Sequence, residues 1–142
     1  MPAFHYLVRA VVIDEGALLV AKAKDESNTF LPGGHVEFGE NAQIALSREI
    51  KEELGLESVI GDFIGAIEHA WPADRQSNHE INLLFDAKIP GTCKKNNPAS
   101  SEPHLQFYWA DLESLHTIDL QPYPLVECLT NDRKAAFWAS TV

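Results

Sequence analysis

The chain opens on a run of β-branched and aromatic residues. His5 to Ile13 reads as a strand, Asp14-Glu15-Gly16 as a hairpin turn, and Ala17 to Lys22 as a second strand. Lys24 to Thr29 is polar and reads as a loop. Leu31-Pro32-Gly33-Gly34 interrupts any regular element, so the backbone is expected to turn there. From Asn41 to Leu54 the pattern becomes helical: Leu46, Ile50 and Leu54 recur on one side, Asn41 suits an N-cap and Gly55 a C-terminal stop. Val59 to Glu68 and Glu80 to Ile89 read as strands, joined by a loop that carries Trp71-Pro72 and Asn78. A polar connection, Gly91 to Pro103, leads to a strand over His104 to Trp109. Leu112 to Leu115 then reads as a short helical turn and Tyr123 to Thr130 as a final helix, with residues 131–142 as a C-terminal tail. Strands and helices mix without strict alternation, which favours an α+β fold over a doubly wound sheet.

The central helix carries the candidate chemistry. At about 100° per residue, Glu53 lies about 40° to one side of Glu49 and Glu52 about 60° to the other, so the three carboxylates share an arc of roughly 100°. Arg48 flanks Glu52. The apolar stripe of Leu46, Ile50 and Leu54 lies apart from them and is free to pack on a sheet. Ala42 and Ala45 fall on the carboxylate face, where small side chains leave room for a ligand. Like-charge pairs at these spacings cost a bare helix only about 0.2–0.5 kcal/mol each, and Arg48 to Glu52 returns a similar amount. Spacing alone therefore leaves two readings, a solvated acidic face and a metal site. Hard oxygen donors of this kind suit Mg²⁺ or Mn²⁺ rather than zinc, and carboxylate-bound Mg²⁺ most often meets substrate phosphates. The glycines at 33 and 34 also permit close backbone approach, so a carbonyl there is a candidate ligand.

Bulk properties narrow the class. A length of 142 residues fits one domain, 1–142, with a real core. Net charge is −10, with 21 acidic and 11 basic residues, which argues against duplex DNA or RNA and anionic membranes as partners. A small anionic substrate is still accommodated if metal ions neutralise it locally. The two cysteines, Cys93 and Cys128, lack a C-x-x-C spacing, and the apolar run from Ala10 stops at Asp14-Glu15. A cytoplasmic protein without a membrane span is the expectation.

Gly34, five residues, Glu40, seven residues, then Arg48-Glu49-Ile50-x-Glu52-Glu53-x-Gly55-Leu56 resembles the complete Nudix box, with no departure at any specified position. The flanking strand pattern resembles the Nudix hydrolase fold less specifically, to about Thr130. The resemblance implies an α/β/α sandwich around a mixed β-sheet, with the box as loop–helix–loop. It implies metal-dependent hydrolysis of a nucleoside diphosphate linked to another moiety, a small-molecule nucleotide partner, and the homodimeric state frequent among small members. By position, Glu49, Glu52 and Glu53 would bind Mg²⁺ (or Mn²⁺) together with the Gly34 carbonyl. Arg48 would hold a carboxylate in place and Glu40 would support the start of the helix. Glu49 is the expected proton acceptor for the attacking water. Some members use a glutamate from a later loop, for which Glu102 leads and Glu80 follows.

Substrate signals are fainter. Lys22 and Lys24 precede the glycine-rich turn and are candidates for phosphate oxygens. Trp71, expected in a loop, is a candidate for stacking on a base, and Glu102, in the polar stretch before the last strand, is a further candidate for substrate contact; Phe107 reads as core. Pro72 stands sixteen residues after Leu56, a position associated with ADP-ribose hydrolysis, while Asp74 occupies the place of a tyrosine associated with dinucleoside polyphosphates. The NADH-cleaving array and the coenzyme A motif are absent. Chain size is closer to nucleoside triphosphate cleaners such as the 8-oxo-dGTP group, and the reading leans that way, with ADP-ribose as the alternative substrate. A non-catalytic nucleotide-binding module of the same fold is the alternative class. Such modules usually lose box carboxylates, and this chain keeps all of them. An acidic protein-interaction domain does not explain Gly33-Gly34, Glu40 and Arg48 together.

Overall fold

The computed structural model describes residues 2–73, 76–131 and 135–142, with residues 72, 73 and 76 described by backbone alone. Asp74 lies outside the described residues.

Among the described residues, eight strands and two α-helices form a mixed α+β fold. β1 (Ala3–Val11), β4 (Gly33–His35), β5 (Val59–Ala73), β6 (Gln76–Lys88) and β8 (Phe137–Ser140) make a five-stranded sheet in the order β4-β1-β6-β5-β8. β1 runs parallel to β6, and β5 parallel to β8; the other pairs are antiparallel. β2 (Ile13–Asp14), β3 (Ala17–Ala23) and β7 (Leu105–Asp111) form a second sheet. Helix α1 (Ala42–Leu54) covers one side; a 3-10 helix (Leu112–Thr117) and α2 (Pro124–Thr130) cover the other.

Alternation along β3 shows the layering. Leu19 and Ala21 pack into the core under α1 with Leu46, Ile50 and Leu54, whereas Leu18 and Val20 join the opposite core with Leu115, Leu125 and Leu129. The strand is buried on both faces, as a central strand of a sandwich must be. Helix α1 has the ends expected for it. The Asn41 side chain accepts the Ile44 amide at 2.9 Å, and Gly55 takes a left-handed conformation (φ 69°) with its amide on the Lys51 carbonyl.

Four expectations are corrected. Gly33–His35 is not a turn but strand β4, paired with β1 through Arg9↔Gly33, Val8↔Gly34 and Leu7↔His35. Trp71 and Asn78 are not in a loop but opposite one another in the long β5–β6 hairpin. Pro72 is tolerated there because β8 pairs only as far as Glu68. The Ala70 amide points outward to the Thr141 hydroxyl, and the proline nitrogen two residues on shares that outer edge. Part of the tail is strand β8, where the Phe137 ring fills the space a side chain on Gly65 would need. Finally, Ala42 and Ala45 do not leave ligand space: both are buried in the core under α1. Phe107 is core, as expected.

Candidate active site

The box begins where β4 lies alongside β1. A Cβ on Gly33 (φ 140°) would collide with the backbone of Val8 and Arg9, and a Cβ on Gly34 would sit 2.5–2.7 Å from the Glu49 carboxylate. Only glycine brings the β4 backbone this close to both β1 and α1. Glu49 is thereby held against Gly34.

Arg48 is the hub of the loop–helix junction. Its Nε and Nη2 donate to the two oxygens of Glu40 at 3.1 and 2.6 Å, a bidentate fork. Its Nη1 donates to Glu49 at 3.1 Å and Glu52 at 3.2 Å, and Nη2 also reaches the His35 carbonyl at 3.0 Å. Glu40 in turn accepts the Glu37 amide at 2.8 Å. The Arg48 fork and that amide hold the Glu40 carboxyl below its ordinary range, and Glu40 raises the Arg48 pKa reciprocally. The arginine thus ties the loop to the helix and orients two of the three helix carboxylates.

The third, Glu53, turns inward. It is 6% exposed. One oxygen accepts a long 3.4 Å bond from the Gly33 amide, and Oε2 is buried with no partner. Burial pushes its pKa up to about 8; the nearby Arg9 opposes this shift and Glu49 adds to it. Burial also raises Glu49, partly offset by Arg48. Glu102 lies close enough to Glu53 to add negative charge beside it, and its neighbour Ser101 donates its amide to the Glu53 carbonyl at 2.7 Å. Loop 98–103 therefore seats a fourth carboxylate at the end of α1.

These residues fit a divalent cation in two respects. An orphaned carboxylate oxygen in a dry site is what a metal ion satisfies, and the glycine cradle brings a carbonyl-bearing strand against Glu49. Among the described residues no three His, Cys, Asp or Glu side chains already stand together as a ligand cage. Arg48 draws Glu49 and Glu52 to itself, while Glu53 faces Gly33.

A cavity of about 660 Å³ opens on the β5–β6 side, lined among others by Phe30, His69, Trp71, Glu80, Asp119 and Gln121. His5, Glu80 and His69 lie side by side across β1, β6 and β5. Trp71 lines the cavity from a strand, with its ring already stacked by His5 and His69 (centroids 6.0 and 5.5 Å apart). Glu80 accepts from Asn82 at 2.9 Å, and both are buried. Lys22 sits on β3 opposite Gln106, and exposed Lys24 donates its backbone amide to the His104 carbonyl at 2.9 Å. Neither lysine is among the residues lining the cavity, and neither pairs with a box carboxylate among the described residues. The sequence reading missed Arg9, His5, His69, Asp119 and Gln121. The one available signal was Arg9, a lone cation inside the apolar run of β1.

A family model for the NUDIX domain matches residues 3–128. The chain belongs to this family, whose enzymes generally use divalent metals and act on small-molecule nucleotides. It is 32% identical to the 8-oxo-dGDP phosphatase NUDT18 of Homo sapiens over 79% of the chain and 34% of that protein. It is 34% identical to the ADP-ribose pyrophosphatase of Methanocaldococcus jannaschii over 61% of the chain and 54% of that protein. The chain thus spans about a third and about half of these two relatives. It is 31% identical to the nucleoside triphosphatase NudI of Escherichia coli over 80% of the chain and 86% of that protein. In fold it matches a MutT NUDIX hydrolase from Burkholderia pseudomallei with a TM-score of 0.74 at 23% identity, covering 92% of the chain and 99% of that structure.

Proposed function

We propose that this enzyme is a Mg²⁺-dependent pyrophosphohydrolase, also served by Mn²⁺, that cleaves nucleoside triphosphates of the 8-oxo-dGTP kind to a monophosphate and pyrophosphate. The observation that carries the reading is the cavity beside the box: aromatic walls from Phe30 and Trp71, with carboxylates from Glu26, Glu80 and Asp119. Carboxylates only accept hydrogen bonds when ionised, so they suit a base edge rich in N–H donors. Guanine and 8-oxoguanine present such an edge; adenine presents fewer donors. The relatives named for 8-oxo-dGDP and for nucleoside triphosphates support the same class of substrate.

Glu49, Glu52, Glu53 and the Gly34 carbonyl would hold the metal, which when bound screens the phosphates and lowers the pKa of water. Arg48 keeps Glu49 and Glu52 oriented, and Glu40 fixes Arg48. Glu49 accepts the proton of the attacking water. Glu102 is the alternative acceptor.

A substrate panel tests the reading. 8-oxo-dGTP, ordinary dNTPs, ADP-ribose, NADH and diadenosine polyphosphates are incubated with Mg²⁺ and the products separated. The expected result is preferential conversion of 8-oxo-dGTP to 8-oxo-dGMP and pyrophosphate. Preferential release of AMP and ribose 5-phosphate from ADP-ribose would replace this substrate assignment.

A further inference from the structure

Arg9 is an unusual residue for a strand buried between two layers. Its neighbours in β1, Val8 and Ala10, are fully buried core. Its side chain lies on the face of the sheet that carries Glu80 and Asn82, as the β1–β6 register requires. Nη1 donates to the Leu31 carbonyl at 3.1 Å and Nε to Asn82 Oδ1 at 3.5 Å, and the guanidinium lies over the Phe30 ring at 5.5 Å. Three carboxylates surround it at longer range, Glu53, Glu80 and Glu49. Among the described residues none forms an ion pair with it, and Nη2 makes no hydrogen bond.

The guanidinium is half-buried, and the hydrogen bonds it makes go only to neutral oxygens. Burial accordingly draws its pKa below the ordinary arginine value. It could serve the carboxylates by charge balance alone, but it stands where a ligand must pass. On one side are Phe30 and Glu80, which line the cavity; on the other is Glu53 of the box. A nucleotide with its base in the cavity and its scissile bond at the box has to lay the intervening phosphate between those groups. Cation binding by Glu49 and Glu53 would also cancel the charge that now attracts Arg9, leaving its open N–H groups for an anion.

We propose that Arg9 binds the substrate phosphate nearest the nucleoside. The proposal rests on the nucleotide reading above, and it gives to Arg9 the phosphate contact expected of Lys22 and Lys24.

Calorimetric titration with reaction products tests it without turnover. Two pairs serve, 8-oxo-dGMP against 8-oxo-deoxyguanosine and AMP against adenosine, each with Mg²⁺ present. Wild-type protein should bind one monophosphate at least about tenfold more tightly than its nucleoside, as a charge-assisted bidentate contact would give. In Arg9→Met that preference should fall below about threefold, while nucleoside affinity and Mn²⁺ affinity stay within about twofold of wild type. Arg9→Gln, which keeps a donor for Leu31 but no charge, should lose the preference in the same way and serves if the methionine variant does not fold. A folded variant that keeps the full preference overturns the proposal. So does a parallel loss of nucleoside, monophosphate and Mn²⁺ binding, which is what a purely structural arginine gives. Wild-type protein that binds no member of either pair overturns the nucleotide reading itself, and the proposal with it.

Discussion

Glu53 concentrates the energetics of the site in one side chain. An ionised carboxylate with a bare, buried oxygen is costly, so in metal-free protein Glu53 titrates at about 8. In the unfolded chain it titrates near the ordinary glutamate value. Between those values the unfolded state has released its proton and the native state has not, so ν_U is below ν_N and stability falls with rising pH. The contribution is fully present below the unfolded pKa and is lost as pH rises through the folded one, on the order of a few kcal/mol. Metal-free wild type should therefore melt at progressively lower temperature from pH 5 to pH 8.5. Glu53→Gln should show a clearly flatter profile, and saturating Mg²⁺ should flatten the wild-type curve. Identical slopes for wild type and Glu53→Gln in EDTA would show that the buried carboxylate is not the titrating group.

At the level of elements, the β4–α1 junction separates two adjacent glycines. A Cβ on Gly33 meets main chain of β1 from a left-handed backbone, and nothing flexible can yield. A Cβ on Gly34 meets the Glu49 carboxylate, which can swing away. Gly33→Ala should thus cost about 2 kcal/mol or more in urea denaturation. Gly34→Ala should cost less than about 1 kcal/mol yet lose most activity, because Glu49 is displaced. Equal destabilisation by both would contradict the division of labour.

Helix α1 was legible because everything that defines it is local: cap, stop, apolar stripe and box spacing lie within one stretch from Asn41 to Gly55. Strand β4 was not, because glycines have no strand propensity of their own; the pairing is imposed by β1. The same reason hid β8, whose Phe137 is specified by a gap at Gly65, far away in sequence. The strand at Trp71 and Pro72 is not legible in the sequence, because the open edge of β5 that admits the proline is a property of the sheet.

Across the whole molecule, the box and the cavity were unequally readable for a related reason. The carboxylates and Arg48 come from a single loop and helix. The cavity gathers His69 and Trp71 from β5, Glu80 from β6 and Asp119 with Gln121 from a loop, and only the tertiary fold, including the β5–β6 register that sets His69 beside Glu80, brings them together. A chain of net charge −10 that takes a polyanion needs local positive charge. In this account that charge comes from the metal at the box and from Arg9 between box and cavity. The most direct test is turnover of the best panel substrate with Mg²⁺ by wild type, Glu52→Gln and Glu53→Gln, with circular dichroism to confirm folding. The expected result is a fall in kcat of about a hundredfold or more in each folded variant. Turnover equal to wild type in both would contradict it.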